Sequence, residues 1–121
     1  MIRIKRLLKS FKYAISGLVK IFKEEQNLRI QFFLGLLAMC FAYFFKIEKI
    51  EFLLIIFSVG LVILMETINS AVERIADILK PRINNYIKEI KDITAAAVMI
   101  ASIISLIIGI IIFYPYVIQI I

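Results

Sequence analysis

The sequence predicts an all-α membrane protein in which an N-terminal amphipathic surface helix precedes three transmembrane helices. Hydrophobic residues make up 63% of the 121-residue chain, and its mean hydropathy is +0.99, well above what a soluble core requires. Only 20% of the residues are charged, and they gather in patches that alternate with long uncharged runs. Lipid is therefore the expected solvent, and residues 1–121 are expected to form a single domain.

Residues 1–27 are predicted to form the surface helix. Apolar residues recur there at helical spacing: Ile4, Leu7, Leu8, Phe11, Ile15, Leu18 and Phe22. Most of the basic residues fall elsewhere on the helical wheel, so one face suits anionic headgroups and the other suits the acyl boundary. The formal net charge of +6 does not favour nucleic acid as a partner, because a membrane protein needs the same charges to orient it.

Three crossings are predicted after the surface helix. The first, residues 29–47, contains an uncharged run that is just long enough to span if its flanking charges reach outward. The second, residues 50–79, becomes polar in its second half but keeps helical spacing toward Pro81, so we expect a cytoplasmic extension. The third, residues 92–119, follows a charged loop at residues 80–92. Small residues recur in it every four positions and allow close helix approach: Ala97, Ala101, Ser105 and Gly109.

The distribution of basic residues predicts the orientation in the membrane. Eight lysines and arginines precede the first crossing, two lie between the first and second, five lie between the second and third, and none follows. The positive-inside rule therefore places the N-terminus and the residue 80–92 loop in the cytoplasm and the C-terminus outside.

Several common chemistries are excluded by composition. The chain has no histidine and only one cysteine, Cys40, so it can form neither an intrachain disulfide nor a cysteine-ligated zinc site. None of the four glycines precedes a lysine, so a P-loop is absent. Acid-base chemistry must then rely on carboxylates, lysine or tyrosine.

Four polar residues form a stripe on the second crossing. Glu66, Asn69, Ser70 and Glu73 stand at i, i+3, i+4 and i+7 and so share one helix face. Glu66 lies about 21 Å along the helix from Phe52, near the cytoplasmic edge of the bilayer core. Carboxylates at this depth are costly and usually functional. The plainer alternative is a helix end that has simply left the membrane.

A second acidic pair lies where the surface helix meets the first crossing. Glu24 and Glu25 are expected at the same membrane depth as Glu73, and either could hold a Mg²⁺-nucleotide together with it. Spacing does not choose between the two. Lys91 and Asp92 enter the third crossing from the same side and supply a cation for phosphate, although such a pair is also an ordinary helix start.

Two motifs and several upstream residues make this chain similar to a known family. The first motif runs from Glu66 to Glu73 as ETINSAVE, and the second runs from Lys91 to Val98 as KDITAAAV. The upstream matches are Arg6, Tyr13, Gly17-Leu18 and Glu25. With these residues the chain resembles the small bacterial diacylglycerol kinase and undecaprenol kinase family of membrane lipid kinases, over nearly its whole length.

The resemblance implies a homotrimer that uses Mg²⁺ and ATP to phosphorylate a lipid alcohol at the inner (cytoplasmic) membrane of a bacterium. By matching position, Glu66 would be the catalytic base, and Glu25 and Glu73 would bind the metal. The nucleotide-binding residues implied in the same way are Arg6, Tyr13, Glu25, Asn69, Glu73, Lys91 and Asp92. The stretch from Arg82 to Asn84 departs from the enterobacterial pattern, so it receives no role.

The lipid is predicted from the branch of the family that the chain resembles. Glu25-Gln-Asn27, the alanines at residues 95–97 and the ending IIIFYPY are similar to the Gram-positive branch, whose members mostly act on undecaprenol. Diacylglycerol, converted to phosphatidic acid, is the alternative substrate, because the chemistry is the same. A non-catalytic scaffold or pore is the alternative from another class. It would explain the hydropathy but not the shared stripe.

Overall fold

The computed structural model describes residues 3–79 and 84–121, and these residues form helices joined by short connections. The helices are α1 (Ile4–Glu24), α2 (Gln26–Phe44), α3 (Lys49–Leu79) and α4 (Asn84–Ile120). No strand occurs in the described ranges, which confirms the all-α prediction. By length and composition α2, α3 and α4 can each cross a membrane, and the predicted number of three crossings is confirmed.

Helix α1 is the amphipathic N-terminal helix, and none of its residues is buried by the rest of the chain. The apolar stripe of this helix remains exposed, including Leu8 and Phe11, as expected for a helix that covers the membrane interface. At Glu25 the backbone becomes extended, and Arg29 then closes the end of α1. Its Nη1 donates to the carbonyl oxygens of Phe22 at 3.0 Å and Lys23 at 2.7 Å. This capping fixes the bend between α1 and α2.

Helix α3 is the central element of the fold and packs against both α2 and α4. Its buried residues follow helical spacing: Ile55, Ser58, Val62, Glu66, Asn69, Ser70 and Ala76. At Gly35, α2 approaches α3 so closely that an added Cβ would lie 2.6 Å from Cγ1 of Val59. The absence of a side chain at residue 35 therefore sets the distance between the two helices.

The predicted charged loop at residues 80–92 is wrong for residues 84–92, because α4 begins at Asn84. Two contacts explain why these polar residues are helical. Ile87 is buried, and Lys88 pairs with Asp92 across one turn at 3.2 Å. Asp92 consequently lies inside the helix and not at its start. The break expected at Pro81 falls outside the described residues.

A small polar and aromatic cluster joins the N-terminal end of α3 to the C-terminal end of α4. Tyr116 donates its hydroxyl to Oε1 of Glu51 at 2.5 Å, and the same oxygen accepts the backbone N–H of Glu48 at 3.1 Å. The ring of Phe45 lies 6.1 Å from those of both Phe113 and Tyr116. These contacts connect the end of α2 and the start of α3 to α4, away from Glu66.

Candidate active site

The polar stripe predicted on α3 is buried in the structure. Glu66 is 3%, Asn69 7% and Ser70 1% exposed, while Glu73 is half-buried. Burying a carboxylate requires compensation, and in membrane helices such residues usually serve a function. The stripe is therefore built into the protomer and is not a helix end exposed to water.

Two oxygen atoms of this stripe have no hydrogen-bond partner within the described residues. They are Oδ1 of Asn69 and Oγ of Ser70, both buried. The amide nitrogen of Asn69 is used, since Nδ2 donates to Oε1 of Glu73 at 3.3 Å. Leaving a buried polar atom unpaired costs about 1–3 kcal/mol of folding free energy. A ligand that donates hydrogen bonds to these oxygens would recover part of that free energy, so both are available as ligand contacts.

Glu25 lies at the bend between α1 and α2, beside the stripe on α3. The charges of Glu25 and Glu73 both act on Glu66, so the catalytic and metal-binding candidates share one electrostatic environment. Arg74 makes the connection between the elements. Its guanidinium pairs with Glu24 and, at 3.3 Å, with Oε1 of Glu25, and it also donates to the carbonyl oxygen of Ser70 at 3.2 Å.

Arg74 is the residue of this cluster that the sequence analysis did not select. Its partners lie 49 and 50 residues earlier in the chain, and helical spacing relates only residues of the same helix. The available signal was a positive charge directly after Glu73, beside an otherwise acidic stripe.

The side chains of Lys91 and Asp92 have different surroundings in the structure. Nζ of Lys91 reaches Asp77 on α3, and the charge of Glu73 also acts on Lys91, which places this lysine beside the stripe. Asp92 instead pairs with Lys88 on an exposed face. Neighbouring residues of a helix project in different directions, so only Lys91 is brought to the cluster within one protomer.

Arg6 and Tyr13 lie on α1 and are not brought to the cluster within one protomer. Both are exposed, and within the described residues neither side chain bonds to the stripe on α3. Tyr13 and Arg6 precede Glu25 by about 18 Å and 28 Å of helix. Their nucleotide contacts remain predictions.

The donor atoms at the site fit Mg²⁺ by their chemistry. Mg²⁺ prefers oxygen ligands and usually takes one or two carboxylates together with water and substrate phosphate. Glu25, Glu73 and the unpaired Oδ1 of Asn69 are donors of this kind. Among the described residues, no three carboxylates are arranged closely enough to hold a metal without rearrangement, and Glu25 is engaged by Arg74.

An apolar cleft runs between α2 and α4 over the surface of α3. It has a volume of about 560 Å³, and Gly35, Val59, Ser105 and Gly109 are among its lining residues. Part of the small-residue face predicted on the third crossing therefore borders this cleft, whereas Ala101 is buried within the protomer. The predominantly apolar lining of the cleft suits an alkyl chain or a neighbouring helix.

Three long apolar helices with a buried polar stripe on the central one are typical of an integral-membrane protein with a functional site inside it. The chain belongs to the prokaryotic diacylglycerol kinase family, whose model matches residues 12–113. It is a membrane lipid kinase, and the resemblance seen in the sequence is confirmed. An enzyme of this family is not a non-catalytic scaffold or pore.

The relatives of this chain carry two different substrate names. A diacylglycerol kinase of Haemophilus influenzae is 37% identical over 95 residues, which is 78% of this chain and 80% of the relative. An undecaprenol kinase of Bacillus subtilis is 28% identical over 112 residues, covering 93% and 91%. A diacylglycerol kinase of Escherichia coli K12 is 32% identical over 102 residues, 84% of each chain. These relatives agree on a lipid kinase and differ in the lipid.

Proposed function

We propose that this kinase uses Mg²⁺-ATP to phosphorylate the hydroxyl group of undecaprenol at the cytoplasmic face of the bacterial inner membrane. The observation that carries the proposal is the burial of Glu66 on α3, next to the charges of Glu25 and Glu73. A phosphoryl acceptor embedded in lipid needs a proton acceptor at the membrane edge, and Glu66 is proposed to serve as that acceptor.

Glu66 is proposed to be the general base. An alcohol is a weak acid, and its proton must leave as its oxygen attacks the γ-phosphate. A carboxylate with little access to water can take that proton directly from the hydroxyl. The position of Glu66, about 21 Å along α3 from Phe52, suits a headgroup that remains at the cytoplasmic edge while its tail stays in lipid.

Glu25 and Glu73 are proposed to hold Mg²⁺, with Asn69 as a neighbouring donor. When bound, this ion offsets the negative charge of the phosphoryl group in transfer. Asn69 donates its amide N–H to Glu73 and is proposed to orient it, and Lys91, which pairs with Asp77, is proposed to contact phosphate. Asp92, Arg6 and Tyr13 are proposed to complete the nucleotide site.

Undecaprenol is proposed over diacylglycerol for two reasons. The Bacillus subtilis undecaprenol kinase aligns with 93% of this chain, whereas the Haemophilus influenzae diacylglycerol kinase aligns with 78%. The sequence features of the Gram-positive branch point to the same lipid. Diacylglycerol is the second candidate because the relative with that name has the higher identity, 37%.

The experiment that tests the substrate is a competition assay. The purified protein in detergent receives ATP, Mg²⁺ and equal amounts of undecaprenol and diacylglycerol, and both phosphorylated lipids are measured. We expect the undecaprenyl product to dominate. A dominant phosphatidic acid product would show that diacylglycerol is the preferred substrate. The absence of product with either lipid, from protein that is folded, would refute the kinase mechanism proposed above.

We further propose that the enzyme is a homotrimer with its N-terminus in the cytoplasm. A single protomer leaves most of its apolar helix surface exposed, including residues that line the cleft between α2 and α4. Native mass spectrometry of the active preparation should show three copies. Activity from protein that is entirely monomeric would refute this assembly.

A further inference from the structure

Arg74 adjoins both proposed metal ligands, Glu73 in sequence and Glu25 through an ion pair. It lies directly after Glu73 on α3, and its guanidinium reaches the two carboxylates of the bend, Glu24 and Glu25. Its Nη1 also donates to the carbonyl oxygen of Ser70 at 3.2 Å, which keeps the group beside the buried stripe. Neither motif of the sequence analysis assigns a role to this residue.

We propose that Arg74 is a nucleotide-binding residue that alternates between two partners. Without nucleotide, its guanidinium neutralises Glu24 and Glu25. When Mg²⁺-nucleotide binds and the metal engages Glu25, the guanidinium is released to the phosphates. This inference rests on the proposed kinase function and adds a specific residue to its nucleotide site.

The charge balance of the site supports this role. Glu24 and Glu25 lie at the bend beside the part of α3 that carries Glu66 and Glu73, and an incoming nucleotide carries further negative charge. Metal alone does not neutralise such a site, because Mg²⁺-ATP is itself anionic. Lys91 is a further cation beside the stripe and pairs with Asp77. A guanidinium suits phosphate especially well because it donates two parallel hydrogen bonds.

The present partners of Arg74 can release it. Its side chain is 38% exposed, and those of Glu24 and Glu25 are 50% and 25% exposed, so water screens the ion pairs. Metal and guanidinium also compete for the same group, since Nη1 of Arg74 lies 3.3 Å from Oε1 of Glu25. The hydrogen bond from Arg74 to the carbonyl oxygen of Ser70 lies within α3, and the metal does not compete for it.

Equilibrium binding distinguishes this role from that of a structural clamp. Binding of Mn²⁺ alone, observed by electron paramagnetic resonance, reports the carboxylates. Binding of a non-hydrolysable ATP analogue at saturating Mg²⁺ reports the nucleotide. Both are measured on the full chain in detergent for the wild type, Arg74→Gln and Arg74→Lys. Lys20→Gln removes a charge from an exposed position of α1 and is the matched control.

Arg74→Gln is expected to affect the two ligands in opposite directions. Mn²⁺ should bind about two- to fivefold more tightly because a competing cation is gone. The analogue should bind about tenfold or more weakly because charge-assisted bonds to phosphate are lost. Arg74→Lys should retain wild-type Mn²⁺ binding and lose less nucleotide affinity, since an ammonium lacks the guanidinium fork. Lys20→Gln should match the wild type for both ligands.

Two results would overturn the role of Arg74 alone. One is weaker binding of both ligands by folded Arg74→Gln, which indicates a clamp, and the other is unchanged nucleotide affinity. If Arg74→Gln does not fold, full nucleotide affinity in Arg74→Lys would overturn the role as well. A wild-type protein that is folded but binds no nucleotide would overturn both this inference and the proposed function.

Discussion

Buried polar side chains on α3 are the residue-scale feature that connects fold to function. Glu66, Asn69 and Ser70 are buried in a helix that is otherwise predominantly apolar, and Oδ1 of Asn69 and Oγ of Ser70 lack hydrogen-bond partners in the described structure. A residue selected only for packing would not carry this cost. The arrangement is typical of a site whose remaining partners are ligands.

Ser70 and Ser58 allow this cost to be measured on one helix. Both are buried, but Oγ of Ser58 donates to the carbonyl oxygen of Ile55 at 3.0 Å, whereas Oγ of Ser70 has no partner within the described residues. Ser70→Ala should therefore leave the free energy of unfolding unchanged or raise it by up to about 3 kcal/mol. Ser58→Ala should lower it by about 1 kcal/mol. Thermal unfolding in detergent compares the two variants. Equal losses of unfolding free energy would contradict the conclusion that Oγ of Ser70 is unpaired.

The sequence was most informative for residues that share a helix. The spacing of Glu66, Asn69 and Glu73 predicts their common face because the helical repeat fixes it. Arg74 and its contact with Glu24 and Glu25 were not predicted, since this contact depends on how the bend between α1 and α2 meets α3. Asp92 was grouped with Lys91 by adjacency, and the helix directs it to a different face.

At the scale of elements, the bend between α1 and α2 determines where Glu25 lies. Arg29 holds this bend by capping the last carbonyl groups of α1. The sequence predicted the junction from its change in polarity, but it could not predict a bond that spans six or seven residues around an extended turn. The early start of α4 was missed because its charged residues resembled a loop, although they keep helical spacing.

Loss of the Arg29 cap should loosen the bend. Arg29→Gln is expected to increase amide hydrogen exchange in the last turn of α1, because carbonyl groups at 3.0 and 2.7 Å lose their donor. Mn²⁺ affinity should fall, since Glu25 is held less firmly. Lys49→Gln, at an exposed position on α3, is the control and should alter neither property. Unchanged exchange in Arg29→Gln would show that the cap does not hold the bend.

The close crossing of α2 and α3 gives a second prediction for the elements. Gly35→Ala places a Cβ 2.6 Å from Cγ1 of Val59, so the helices must separate or Val59 must move. We expect a loss of about 1–3 kcal/mol in the free energy of unfolding. The double variant Gly35→Ala with Val59→Ala should recover much of that loss. A fully stable single variant would show that the crossing is not tightly constrained by Gly35.

At the scale of the whole molecule, hydropathy and charge were sufficient to predict an all-α membrane protein. The alternation of apolar runs and charged patches fixes the number of crossings, because each run must bury its backbone in lipid as a helix. The packing order, with α3 between α2 and α4, depends on side-chain fit and was not predicted. The cleft between α2 and α4 follows from that order and therefore became visible only in the structure.

Lipid phosphorylation by Glu66→Gln is the measurement that tests the central claim most directly. The variant and the wild type are compared for transfer of the γ-phosphate from ATP to undecaprenol, with analogue binding and thermal unfolding recorded in parallel. Because the amide cannot accept the proton, we predict a loss of turnover of about 10²- to 10⁴-fold with nucleotide binding and folding preserved. Glu89→Gln, at an exposed position on α4, should retain turnover. Wild-type turnover in folded Glu66→Gln would contradict the assignment of Glu66 as the base.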